Sequence, residues 1–120
     1  MAHNPRFEKL VSDAKSRIAE ISAAEAAKRA SQGAKLIDVR EGDEFAKGHA
    51  QGAVPLSKGV AELRIEELVP DSSTTIICYC GGGSRSALVA DNFQKMGYQD
   101  VRSLAGGFKA WKAAGLPVET

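Results

Sequence analysis

The longest stretch without a charged residue, 72–84, constrains this chain more than any other feature. It follows the turn-forming pair Pro70-Asp71, runs through Thr74-Thr75-Ile76-Ile77-Cys78-Tyr79 and ends in Cys80-Gly81-Gly82-Gly83-Ser84. Its β-branched, uncharged first half reads as a strand buried on both faces, the setting of an interior strand in a largely parallel sheet. The glycines break that strand. A helix is predicted over 84–96, where Ala87, Leu88, Ala90, Phe93 and Met96 supply an apolar face and Gly97 the stop. Buried strand, glycine loop and helix in succession are the beginning of a strand–helix–strand unit.

The rest of the chain repeats that alternation. Asn4 is positioned to cap a first helix with Pro5 in its first turn, and Phe7, Leu10, Val11, Ala14 and Ile18 form one apolar stripe along it. A short extended piece around Ile21 leads into Ser22, which with Glu25 makes a capping box for an Ala-rich helix that Gly33 ends. Residues 34–39 read as a buried strand, with a charged exit at Arg40-Glu41 and a helical turn near Asp43-Glu44-Phe45. Pro55 places 53–56 at an edge or a strand end. A helix over 59–68, a short strand over 101–104, a turn at Gly106-Gly107 and a last helix over 108–114 complete an α/β pattern. The segment 1–20 is read as an amphipathic N-terminal helix and 21–120 as the domain.

At 120 residues the chain has the length of one domain. Apolar residues make up 43% and charged residues 26%, which excludes a disordered or fibrous chain. A net charge of +1 gives no electrostatic reason to expect nucleic acid or an anionic membrane as partner. Charges interrupt the first twenty residues, so no signal-peptide core is visible. Two cysteines standing two residues apart are not a disulfide framework, which points to a reducing, cytoplasmic setting.

Cys80 is the candidate centre of chemistry. In an open parallel sheet, ligands bind beyond the carboxyl ends of the strands. A turn into a helix lets the N–H groups of Gly81, Gly82, Gly83 and Ser84 converge there, and Arg85 adds a full charge. That setting favours the thiolate and would hold an anion brought to it. Cys78, inside the strand, reads as a small core residue, with a resolving thiol as the alternative. The pair lacks zinc-ligand spacing, and neither a phosphate loop nor a dinucleotide fingerprint is present, so no cofactor or metal is expected. The ring from Cys80 to Arg85 is one residue shorter than that of the cysteine phosphatases, and suits a single sulfur atom on the cysteine better than a phosphoryl group. Neither Asp91 nor Asp100 is placed as the general acid that phosphoester cleavage needs.

Three stretches in order resemble the rhodanese family, over most of the chain beyond the first helix. They are Leu36-Ile37-Asp38-Val39-Arg40-Glu41 with Glu44-Phe45 and 48–53, the loop from Cys80 to Arg85, and Gly106-Gly107-Phe108-Lys109-Ala110-Trp111 with 115–118. The resemblance implies a three-layer fold with a five-stranded, mainly parallel sheet flanked by helices, to which the first helix is an addition. It also implies a two-step sulfurtransferase. Cys80 would take a sulfane sulfur from a thiosulfate-like donor as a persulfide and pass it to a thiol or cyanide acceptor, a small molecule or a sulfur-accepting protein. Cys80 and Arg85 are then the catalytic residues, and Gly81, Gly82, Gly83 and Ser84 cradle the substrate. The loop departs from thiosulfate-using relatives, which often carry Lys or Arg among the residues that are glycine here. A binding or regulatory module and a thiol redox sensor remain as alternatives. Asp38, Arg40 and Glu44 read as an ion-pair network fixing the loop after the 34–39 strand, and His49 as a hydrogen-bonding support. Trp111 and Phe108 read as core and Lys58 as a solvated surface charge.

Overall fold

A computed structural model describes residues 4–120. Helix α1 (Pro5–Lys15) is followed by β1 (Ala19–Ile21), α2 (Ala23–Ser31), β2 (Lys35–Asp38), α3 (Gly42–Lys47), β3 (His49–Ala50) and β4 (Val54–Pro55). A short 3-10 turn (Lys58–Val60) then leads to α4 (Ala61–Leu68), β5 (Ile76–Tyr79), α5 (Ser84–Lys95), β6 (Val101–Leu104), α6 (Gly107–Ala113) and β7 (Val118–Glu119). Five strands form one sheet in the order β1-β6-β5-β2-β4, and every pair in it is parallel. Of the segment 1–20, the first three residues lie outside the described residues.

The uncharged run lands in the middle of that sheet. Ile76, Cys78 and Cys80 belong to the core packed under α4 and α5, with Ile65, Val89 and Phe93. Ile77 and Tyr79 belong to the core under α2 and α6, with Ala26, Phe108 and Trp111. Both faces of β5 are therefore buried, which is why no charge interrupts it. Pro55 sits in β4, the edge strand, as its missing N–H requires.

Asn4 Oδ1 accepts the Phe7 N–H at 3.0 Å and Ser22 Oγ accepts the Glu25 N–H at 3.1 Å, so both expected caps are present. The second is half a box, because the Glu25 carboxylate turns to Arg29 at 3.5 Å. The stripe on α1 needs correction. Val11 and Ala14 are buried, but Leu10 is 54% exposed and Ile18 lies beyond the helix end, where it packs against the α4/α5 core. Helix α1 lies on α5. A small antiparallel sheet, with His49 opposite Glu119 and Ala50 opposite Val118, ties the chain end to the segment after α3. Short polar or mixed segments such as these carry no period that predicts their pairing.

Candidate functional site

Cys80 closes β5 at the carboxyl edge of the sheet and α5 starts at Ser84, so residues 81–83 must reverse the chain within a few ångströms of the sulfur. Gly83 does this with φ +105°. Its N–H donates to Cys80 Sγ at 3.1 Å, and the N–H of Ser86, a donor that the first turn of α5 leaves without a helical acceptor, reaches the same sulfur at 3.4 Å. The Ser86 hydroxyl is 3.5 Å from Sγ and is held by Ser103 Oγ at 2.9 Å. Two amides thus donate to one sulfur, which itself donates to the Ser86 hydroxyl, and Cys80 as a whole is 1% exposed. The hydroxyl beside the sulfur belongs to Ser86, whereas Ser84 lines the cavity above it. Ser86 and Ser103 escaped the reading of the sequence. Their signal was a small polar residue at a buried position, Ser103 inside a strand and Ser86 on the inner face of a helix.

The loop is held from behind by α6. The Phe108 N–H donates to the Cys80 carbonyl at 2.7 Å, and the Lys109 N–H to the Gly81 carbonyl at 3.2 Å. This contact explains Gly107. A Cβ there would lie 2.4 Å from the Cys80 carbonyl oxygen, and its φ is +57°. The C-terminal signature is thus a clamp on the cysteine loop, with Phe108 and Trp111 buried beneath it.

Arg85 does not present a free charge to the sulfur. Its Nη1 and Nη2 donate to the two carboxylate oxygens of Glu44 at 2.8 and 3.2 Å. Glu44 Oε1 also accepts the Glu41 N–H at 3.1 Å, which orients the carboxylate toward the loop. The Arg85 guanidinium draws the Glu44 carboxyl below its usual range, and Glu44 raises Arg85 in return. The expected network of Asp38, Arg40 and Glu44 is therefore two pairs. Asp38 takes Arg40 in a fork at 2.8–3.2 Å, and Arg40 donates onward to the Gly48 carbonyl at 2.8 Å, while Glu44 takes Arg85. Arg40 also lies over the Phe108 ring, 4.5 Å from its centroid, which joins the first pair to the clamp.

His49 is buried, stacked on Phe45 at 3.6 Å, with Nδ1 2.9 Å from the Phe45 carbonyl and Nε2 3.5 Å from Glu119. Cys78 is fully buried, and burial pushes its thiol far up, away from the thiolate.

Cys80 forms the floor of a cavity of about 480 Å³ walled by Asn4, Phe7, Lys58, Gly82, Ser84 and Arg85. Three of these correct the reading of the sequence. Asn4 and Phe7 bring the first turn of α1 to the mouth of the site, and Lys58 lines it where a solvated charge was expected. Helix packing over long separations places all three, and no local pattern announces it.

The rhodanese-like domain family matches residues 22–114, and the chain belongs to that family. It is 39% identical over 102 residues to the Haemophilus influenzae thiosulfate sulfurtransferase GlpE, a match covering 84% of this chain and 94% of that protein. The GlpE protein of Actinobacillus pleuropneumoniae is 35% identical over 89 residues, 74% of this chain and 81% of that one. With this family and these relatives, the chain falls in the sulfurtransferase class of enzymes. Among solved structures, a Rhodopseudomonas palustris protein of unknown function, described as a possible tyrosine phosphatase, superposes with a TM-score of 0.87 at 28% identity, covering 99% of both chains. A thiosulfate sulfurtransferase of Pseudomonas aeruginosa superposes with a TM-score of 0.81 at 28% identity over 94% of this chain and 22% of that one.

Proposed function

We propose that this chain moves sulfane sulfur from a small anionic donor to a nucleophilic acceptor, carrying it as a persulfide on Cys80. The observation that carries the reading is the pair of amide N–H groups, from Gly83 and Ser86, aimed at a sulfur on the floor of an open cavity. Such donors fix in place the sulfur that serves as the nucleophile. With thiosulfate, the Cys80 thiolate attacks the outer sulfur, the S–S bond of the donor breaks, and sulfite departs with the bonding pair. An acceptor thiolate or cyanide then attacks the outer sulfur of the persulfide and releases the Cys80 thiolate. Each leaving group departs as a stable anion, so no general acid is required.

Gly83 and Ser86 hold the inner sulfur. The backbone of Gly81, Gly82, Ser84 and Arg85 receives the outer one. Glu44 and Arg85, with Asp38, Arg40 and His49 further out, hold the loop in shape. A protein able to accept sulfur has access through the same cavity. The two free thiols fit a cytoplasmic, reducing setting.

The test is thiocyanate formation from thiosulfate and cyanide. Cys80→Ser should abolish it and Cys78→Ser should retain most of it. A Cys80→Ser protein that turns over at the wild-type rate would overturn the assignment. A wild-type protein with no turnover on any sulfane donor would leave a binding module.

A further inference from the structure

The cavity above Cys80 must receive an anion, and its obvious cation is already engaged. Arg85 is forked onto Glu44 at 2.8 and 3.2 Å, and the glycines of the loop bring no charge. Among the described residues one other cation lines the cavity, Lys58, in the 3-10 turn that precedes α4. Its backbone is fixed, since its N–H donates to the Val39 carbonyl at 3.0 Å and its carbonyl accepts the Ala61 N–H. Its side chain is half-buried and makes no hydrogen bond or ion pair among the described residues.

The Asp13 and Asp91 carboxylates are engaged elsewhere, and Glu41 accepts from the hydroxyl of the neighbouring Ser57 at 3.4 Å. Lys58 also borders a second cavity that includes Asp13 and Asp91. Asp91 is paired with Arg17 at 2.7 Å and Lys95 at 3.4 Å, and Asp13 with Arg17 at 3.0 Å. Arg17 draws both carboxyls below their usual range.

We infer that Lys58 is the donor-binding cation of this site, and takes the sulfonate end of a thiosulfate-like donor while the outer sulfur faces Cys80. The inference rests on the sulfur-transfer reading. In this chain, the charge absent from the cysteine loop is supplied by the turn after β4. A half-buried cation in contact with an anionic ligand is worth about three- to tenfold in affinity, rather than the larger effect of a dry ion pair.

Lys58→Gln should therefore raise KM for thiosulfate about three- to tenfold with kcat nearly unchanged, and Lys58→Arg should stay close to wild type. A second readout does not depend on sulfur transfer. Cys80 is alkylated with iodoacetate, an anion, and with iodoacetamide, which is neutral, in a Cys78→Ser background. Lys58→Gln should lower the iodoacetate rate relative to the iodoacetamide rate, and added salt should lower the wild-type ratio toward that of the variant. An unchanged rate ratio in Lys58→Gln would overturn the assignment of Lys58, whether or not the protein transfers sulfur. A lowered ratio in a protein that transfers no sulfur would keep Lys58 as an anion-binding residue and refute the transferase reading instead.

Discussion

Replacing Gly107 by alanine isolates the clamp that α6 places on the cysteine loop. Two penalties combine there. A non-glycine residue in the left-handed region costs about 1–2 kcal/mol. The added Cβ would lie 2.4 Å from the Cys80 carbonyl oxygen and 2.8 Å from the Gly81 carbonyl carbon and oxygen, so the two backbones must separate. Separation breaks the 2.7 Å bond from Phe108 N–H to the Cys80 carbonyl and weakens the 3.2 Å bond from Lys109 N–H to the Gly81 carbonyl. Leaving such buried groups unpaired costs about 1–3 kcal/mol. The sum is about 2–5 kcal/mol, a large share of an ordinary domain's stability. Gly115 is the control. Its φ is +71° and nothing lies within 4 Å of its would-be Cβ, so Gly115→Ala bears the conformational cost alone. Urea unfolding of both variants should separate them by about 1–3 kcal/mol at similar m-values. Equal destabilisation of the two would refute the clamp.

The remaining predictions concern charge and reaction class. Because Arg85 holds the Glu44 carboxyl below the ordinary glutamate value of 4.5, the pair contributes stability above that pH and loses it as pH falls through the lower folded value. Acid unfolding monitored by circular dichroism should therefore show a smaller pH dependence in that range for Glu44→Gln than for wild type, and identical acid profiles would contradict the pairing. Hydrolysis of an aryl phosphate should be absent, despite the likeness to a protein described as a possible tyrosine phosphatase. The ring from Cys80 to Arg85 is short, Arg17 draws the Asp91 carboxyl below its usual range, and Asp100, although burial favours its acid form, is also drawn down by Thr75 and Arg102, so neither is tuned as a general acid. Robust hydrolysis lost in Cys80→Ser would refute that reasoning.

What the sequence made legible was what short-range physics dictates. A run that is apolar without period, as in 74–79, demands burial on both faces, and it occupies the centre of the sheet. Asn4, Ser22, Gly33 and Gly97 mark helix ends because the groups they satisfy or the backbone they permit lie within four residues. The convergence of amides on Cys80 was legible for the same reason, although the donors proved to be Gly83 and Ser86. Partners brought together by the fold were not legible. Glu44 meets Arg85 across 41 residues, and before that contact is known Arg85 reads as the site's free charge. Lys58 and Phe7 reach the cavity only because α1 lies against α5 and the turn after β4 ends beside it, and neither carries a local mark. The pairing of His49 and Ala50 with Val118 and Glu119 joins segments too short to show a period.

In the proposed mechanism sulfur resides on Cys80 between the two half-reactions. Intact-mass measurement of the reduced, desalted protein after brief exposure to thiosulfate tests it most directly. The wild-type and Cys78→Ser proteins should gain the mass of one sulfur atom, lose it again on addition of cyanide, and show no gain when Cys80 is serine. An unmodified mass under conditions of active turnover, or loss of two hydrogens in place of the added sulfur, would contradict a persulfide on Cys80.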